Sequence, residues 1–291
     1  MAIAALFGLA AGALAHGPAM ADGPTSAALE GKTIGEVASY YRAYLRDIEA
    51  MEQLSFETKE EIAKVANLVN QYDPELLSAG FLAHHGLLAA EAEDYVRDVR
   101  SEAEDDPRRL FEQAALNELY LSSRPHSNAA LAIVVANASQ EVARIAAVGE
   151  RLEATGYAML NPHLPMPAAP HASARSVAAL DAARYVAKEA DLLAVRYGAR
   201  GAVNRVLTTA AHVAVPGGAE ADTASLLADK EAGQCLRWAS LNLAQCLAAA
   251  ANPPEEAYCA GKHGLKEVSA CWRNIARIQP SETRTADAGA P

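Results

Sequence analysis

The chain has 291 residues, 51% of them apolar and only 5% aromatic, with a formal net charge of −11. That apolar fraction excludes a disordered chain and is ample for a core, while the acidity argues against nucleic acid and anionic lipid as general partners. Alanine dominates the apolar residues. It is the best helix former and too small to fill a sheet core, so composition predicts closely packed helices.

The first charged side chain is Asp22, and the apolar run Ala2 to Ala15 leads to Ala19-Met20-Ala21. A short apolar run ending in a small-x-small site predicts a secretory signal peptide over residues 1–21. A membrane span needs about 20 such residues, and no later stretch reads as one, so a periplasmic or secreted protein without a membrane span is expected. No Lys or Arg precedes the run, which does not fit a signal peptide; a start upstream of Met1 would account for it, and the alternative reading of the run is an N-terminal helix buried in the protein.

A helical bundle is predicted over residues 33–160. Ile34, Val37, Tyr41, Tyr44, Ile48 and Met51 recur at spacings of three and four and mark its first helix. Thr58 with Glu61 forms a capping box, and Ile62, Val65 and Val69 continue the helical period. Asp73-Pro74 and Asp106-Pro107 each read as an N-cap followed by proline at the first helical position. Between them, Glu91, Glu93, Asp94, Asp98, Glu102, Glu104, Asp105 and Asp106 face only Arg97 and Arg100, as on a solvated helix face.

Ser127 is placed as the cap of a long helix reaching about Leu160. Leu131, Val135, Ala138, Val142, Ile145, Gly149 and Leu152 form its seam, and the small residues Ala138 and Gly149 predict a close helix crossing. Four prolines between Asn161 and Ala172 make an extended connector and a domain or subdomain boundary. A second helical region is expected over residues 173–278, with helices from Arg175 to about Tyr197 and from Ala202 to Val213. A disordered tail is expected over residues 279–291.

All four cysteines fall near the C-terminus, at Cys235, Cys246, Cys259 and Cys271. Eleven helical residues separate the first two by about 16 Å along the axis, too far for a disulfide, and the same holds for the last two. Pairing must therefore cross a hairpin. Antiparallel helices select the nested pairs Cys246 with Cys259 and Cys235 with Cys271, whose midpoints meet at Asn252-Pro253, where a turn is independently marked. The rival is metal or haem ligation through Cys259 and His263, four apart on one helical face. A C-x-x-C-H haem motif is absent, and nested disulfides would consume the thiolates that a tetrahedral metal site needs.

The segments Cys235-Leu-Arg-Trp-Ala-Ser-Leu-Asn242-Leu-Ala-Gln245-Cys246 and Tyr258-Cys259-Ala-Gly261-Lys-His263 resemble uncharacterised envelope proteins of Alphaproteobacteria. The stretch from Gly86 to Arg100 is similar to a second block of the same family, so the resemblance runs from about residue 75 to 278. It departs from the family pattern around Pro253-Pro254. It implies an exported helical protein and no assigned activity.

No nucleophile elbow, zinc-protease, phosphate-loop or dinucleotide motif occurs, which lowers the expectation of an enzyme, and no cofactor is expected. His84 and His85 are the weak metal candidates: adjacent helical residues point about 100° apart, so one buried and one exposed histidine is expected. Arg237, Trp238, Asn242, Gln245, His263 and Trp272 on the hairpin are the candidate interaction residues. Trp238 and Trp272 are expected as core or hairpin-edge anchors, with exposure at such an edge marking an interface instead. The sequence thus predicts an all-α multi-helix bundle with a disulfide-stapled C-terminal helical hairpin. The leading expectation is a non-enzymatic structural or protein-interaction module of the cell envelope. The alternative is a metal- or small-ligand-binding helical bundle that uses His84 or His85.

Overall fold

A computed structural model describes residues 28–117, 119–163, 199–215 and 223–273. The expected signal peptide, most of the proline-rich connector, the helix expected from Arg175 to Tyr197 and the C-terminal tail lie outside them. Among the described residues there is no strand, and the fold is all-α.

The helix starts follow local chemistry, with two differences from expectation. α1 (Ile34–Glu52) opens on a complete capping box at Thr33, whose Oγ1 accepts from Glu36 N at 3.2 Å while Glu36 Oε2 accepts from Thr33 N at 2.8 Å. At α2 (Lys59–Asn70) only half of the expected box forms. Thr58 Oγ1 accepts from Glu61 N, but the Glu61 carboxylate takes the Ser55 hydroxyl at 3.1 Å. Asp73 and Asp106 cap α3 (Pro74–Ala89) and α5 (Pro107–Leu116), flanking α4 (Glu93–Ala103).

Ser127 is the first residue of α6 (Ser127–Leu160) and not its cap. Its hydroxyl donates backward to the carbonyls of Ser122 and Arg124, at 2.7 and 2.9 Å, tying the preceding turn rather than a free helical N–H. The chain continues through α7 (Ala199–Ala214), α8 (Thr223–Leu227), α9 (Lys230–Ala249) and α10 (Pro253–Cys259). A π-helical stretch, Ala260–Glu267, then joins α10 to the short α11 (Val268–Cys271).

α3 is the central element. Eleven of its residues are buried, on every face, as in a helix enclosed by others. It packs against α1, α6, α7 and α9. Gly80 and Gly86 allow the closest approaches: a Cβ on Gly80 would lie 2.9 Å from Tyr41 Cβ of α1, and one on Gly86 2.4 Å from Thr209 Cγ2 of α7.

The α6 seam buries Leu131, Ala138, Val142, Ile145, Gly149 and Leu152, as expected, with Val134 and Val148 inside instead of Val135. The crossing expected at Gly149 is occupied by the π-helical stretch. A Cβ on Gly261 would lie 2.6 Å from both Gly149 O and Glu153 N, so the two backbones touch. By length and composition α6 also resembles a membrane span, with 33% of its most apolar window buried inside the protein. The C-terminal hairpin enters the same core as the first helices, since Trp272 stacks on Phe81 and meets Tyr41 edge-on. The described parts of the two expected helical regions therefore share one core across the proline-rich connector.

Two predictions come from this packing. Overpacking a helix crossing costs up to about 3 kcal/mol, and the better helix propensity of alanine returns at most about 1, so Gly261→Ala loses about 2 kcal/mol of stability in denaturant titration. His212 of α7 stacks on Phe111 with ring centroids 3.8 Å apart, and burial pushes its imidazole down to about 4. The unfolded chain takes up that proton near pH 6.5 while the folded chain stays neutral. The contribution is therefore complete above pH 6.5 and is lost as pH falls towards 4. Melting temperature measured across that window declines in the wild type and declines less in His212→Phe.

Candidate functional site

The hairpin is built as the cysteine spacing requires. Asp229 caps α9, Asn252 caps α10, and Pro253 occupies its first turn. Cys235 pairs with Cys271 and Cys246 with Cys259, with Cα–Cα distances of 5.7 and 5.5 Å. The thiols expected as rival metal ligands are thus consumed, including that of Cys259.

The π-helical stretch explains how both bonds form on one face. Eleven α-helical steps bring Cys246 to within about 20° of Cys235 around the axis of α9. Twelve α-helical steps would leave Cys271 about 120° away from Cys259. A π-helix, bonded i→i+5, turns only about 80° per residue. Eight residues in that conformation return Cys271 to the side of the helix that faces α9.

The interaction candidates separate into two groups. Trp272 is 1% exposed and belongs to the core, so it offers no surface. Asn242 and His263 share one partner: Asn242 Nδ2 donates to Glu267 Oε2 at 3.0 Å, and His263 Nδ1 lies 2.8 Å from Glu267 Oε1. These polar groups answer one another inside the hairpin. Arg237 reaches back to the buried Glu75 of α3 at 2.6 Å. Trp238, expected as an anchor, is instead 58% exposed, with Leu241 one turn on at 45% and Gln245 exposed on the same side of α9.

A second cluster forms where α1, α3 and α6 meet. His84 Nε2 lies 3.1 Å from Glu141 Oε1 and His85 Nε2 lies 3.3 Å from Glu141 Oε2. The Tyr41 hydroxyl donates to Oε2 at 3.0 Å. The expectation of one exposed histidine is corrected. The His85 side chain is fully buried and that of His84 only 13% exposed. The carboxylate lies between the two side-chain directions, so each oxygen meets one imidazole despite the angle between them. His85 Nδ1 lies 2.9 Å from Phe81 O, one helical turn back, which makes it the protonated nitrogen. His85 Nε2 is buried without a hydrogen bond of acceptable geometry. Burial pushes the Glu141 carboxyl up, but the two histidines outweigh it and hold it down to about 2. Burial, with Glu141 beside it, drives the Tyr41 phenol well above its usual range.

Sequence reasoning missed Glu141 and Tyr41. A signal existed: Glu141 lies three residues after Ala138 and four before Ile145, a carboxylate at the edge of a buried stripe.

No family model, curated protein or solved structure matches the chain. The paired cysteines suit an oxidising, non-cytoplasmic compartment. Loop entropy gives each disulfide about 3 to 4 kcal/mol. Cys235→Ser/Cys271→Ser, which opens the longer loop, is therefore expected to lower stability at least as much as Cys246→Ser/Cys259→Ser. Denaturant midpoints of the two double variants, with and without reductant, check this.

Proposed function

We propose that the chain is a non-enzymatic structural or protein-interaction module of the cell envelope, exported to the periplasm or secreted, of the kind suggested by its likeness to alphaproteobacterial envelope proteins. Export rests on the signal-like residues 1–21 and agrees with the two disulfides. The interaction surface is the outer side of α9. The observation that carries this reading is the exposure of Trp238 beside Leu241 on a helix held by two covalent crosslinks.

A large apolar ring left in water gains most by insertion into a partner's groove, and a rigid frame reduces the ordering cost of that step. Gln245 and Arg237 supply a polar border to the same helix, Arg237 with about half of its side chain exposed.

The test compares the wild-type chain with Trp238→Ser/Leu241→Ser as immobilised bait for envelope extracts. Both substitutions fall on exposed side chains, so helicity and melting temperature should be unchanged. A partner retained by the wild type and lost by the variant supports the reading. Equal recovery by both, or reproducible recovery by neither, removes it.

A further inference from the structure

We propose that His84, His85 and Glu141 bind one divalent first-row transition ion, of the zinc or cobalt kind, at the junction of α1, α3 and α6. This inference is independent of the α9 surface.

The donor set comes first. Two imidazole nitrogens and one carboxylate oxygen suit a borderline ion of this class, and all three donor atoms lie within 4.8 Å of one another. Among the described residues there is no free cysteine to compete for the ion.

The second observation is His85 Nε2. It belongs to a fully buried side chain, has no hydrogen bond, and is aimed at Glu141 Oε2 from 3.3 Å. Because Nδ1 donates to Phe81 O, the neutral ring carries its lone pair on Nε2. That lone pair faces an oxygen whose other contact is the Tyr41 hydroxyl. Two lone pairs opposed in a dry interior would repel, so a proton or a cation has to stand between them, and a cation there makes two bonds at once. A backbone carbonyl holding the far nitrogen of a histidine is also the usual outer support of a metal-bound imidazole.

The spacing agrees. Donors about 2.1 Å from a common ion lie about 3.0 Å apart at right angles and about 3.4 Å apart at tetrahedral angles. The two nitrogen–oxygen separations, each to a different oxygen of Glu141, are 3.1 and 3.3 Å, and the three donors lie within 4.8 Å, so an ion seated between them draws the two imidazoles slightly together. The side chains of His84 and Glu141 each retain 13% exposure, which gives an ion a way in and leaves a fourth position for water. Tyr41 is a positioning residue: its bond to Oε2 fixes the rotation of the carboxylate between the two imidazoles. The competing arrangement has a proton on His85 Nε2 in place of the ion.

The experiment uses the full chain with its disulfides intact, stripped with chelator and titrated with Co2+ and then Zn2+. One Co2+ per chain is expected, with visible d–d absorption that Zn2+ abolishes. The 15N resonance of His85 Nε2 should move on Zn2+ binding, while that of Nδ1 remains in the protonated range. His84→Gln, whose amide can still donate to Glu141 Oε1, should leave the metal-free chain folded, as its circular dichroism will show. It should weaken Co2+ by at least the roughly 10- to 100-fold known for loss of an outer-shell partner. The proposal is overturned if the folded wild type binds Co2+ more weakly than about 1 mM. It is equally overturned if binding survives unchanged in both His84→Gln and Glu141→Gln, or if the His85 nitrogen does not respond to Zn2+.

Discussion

A helix enclosed on every side has no water available to its polar groups, and α3 is such a helix. The Ser78 hydroxyl is buried there without a partner, but the charged and imidazole side chains of the helix are met by neighbours, and those meetings bear on which helices stand around it and in what register. Glu75 at its first turn draws Arg237 from α9. His84 draws Glu141 from α6, which in turn takes the hydroxyl of Tyr41 from α1. His85 turns its Nδ1 on its own backbone at Phe81. Apolar contacts would tolerate some sliding of α1, α6 and α9 over α3, whereas a buried carboxylate without its partner costs several kcal/mol. The polar ties therefore select one arrangement among several of similar packing.

The aromatic cluster connects this centre to the hairpin. Tyr41, Tyr44, Phe81 and Trp272 pack with ring centroids 5.0 to 6.2 Å apart, and Trp272 follows directly on Cys271. The outer disulfide thus fixes the residue before the ring that closes the core. The π-helical stretch serves both requirements: it rotates Cys271 toward Cys235, and through Gly261 it lays its backbone against Gly149 of α6. A regular α-helix over the same residues would leave Cys271 about 120° around the axis from Cys259 and turned away from Cys235.

Much of the fold was legible because the signals are local. Proline at the first turn after Asp73 and Asp106 marks a helix start whatever lies around it, and the coincidence of two cysteine midpoints at Asn252-Pro253 marks a hairpin. Gly149 announced a close crossing, though not its partner. What could not be read depends on contacts distant in sequence. The meeting of His84 and His85 at one carboxylate needs a residue from another helix, and the twist that brings Cys271 to Cys235 has no sequence signature. The two tryptophans look alike in sequence, yet Trp238 faces outward and Trp272 inward, because a half-turn of helix separates a core position from an exposed one. Ser127 misled by one residue, since a hydroxyl can serve the turn before it as well as the helix after it.

The nested crosslinks also have a topological consequence. Residues 246–259 form a closed covalent ring, and residues 235–246 and 259–271 form a second ring that shares one edge with the first. Hydrolysis of the backbone anywhere between Cys246 and Cys259 opens the inner ring but releases no fragment, because both ends stay tied through sulfur. A chain nicked at that tip would keep its mass apart from one added water, its hairpin and its place in the core. A size separation under non-reducing conditions would not register the cut. The tip is thus a place among the described residues where a peptide bond can be lost with both ends still held.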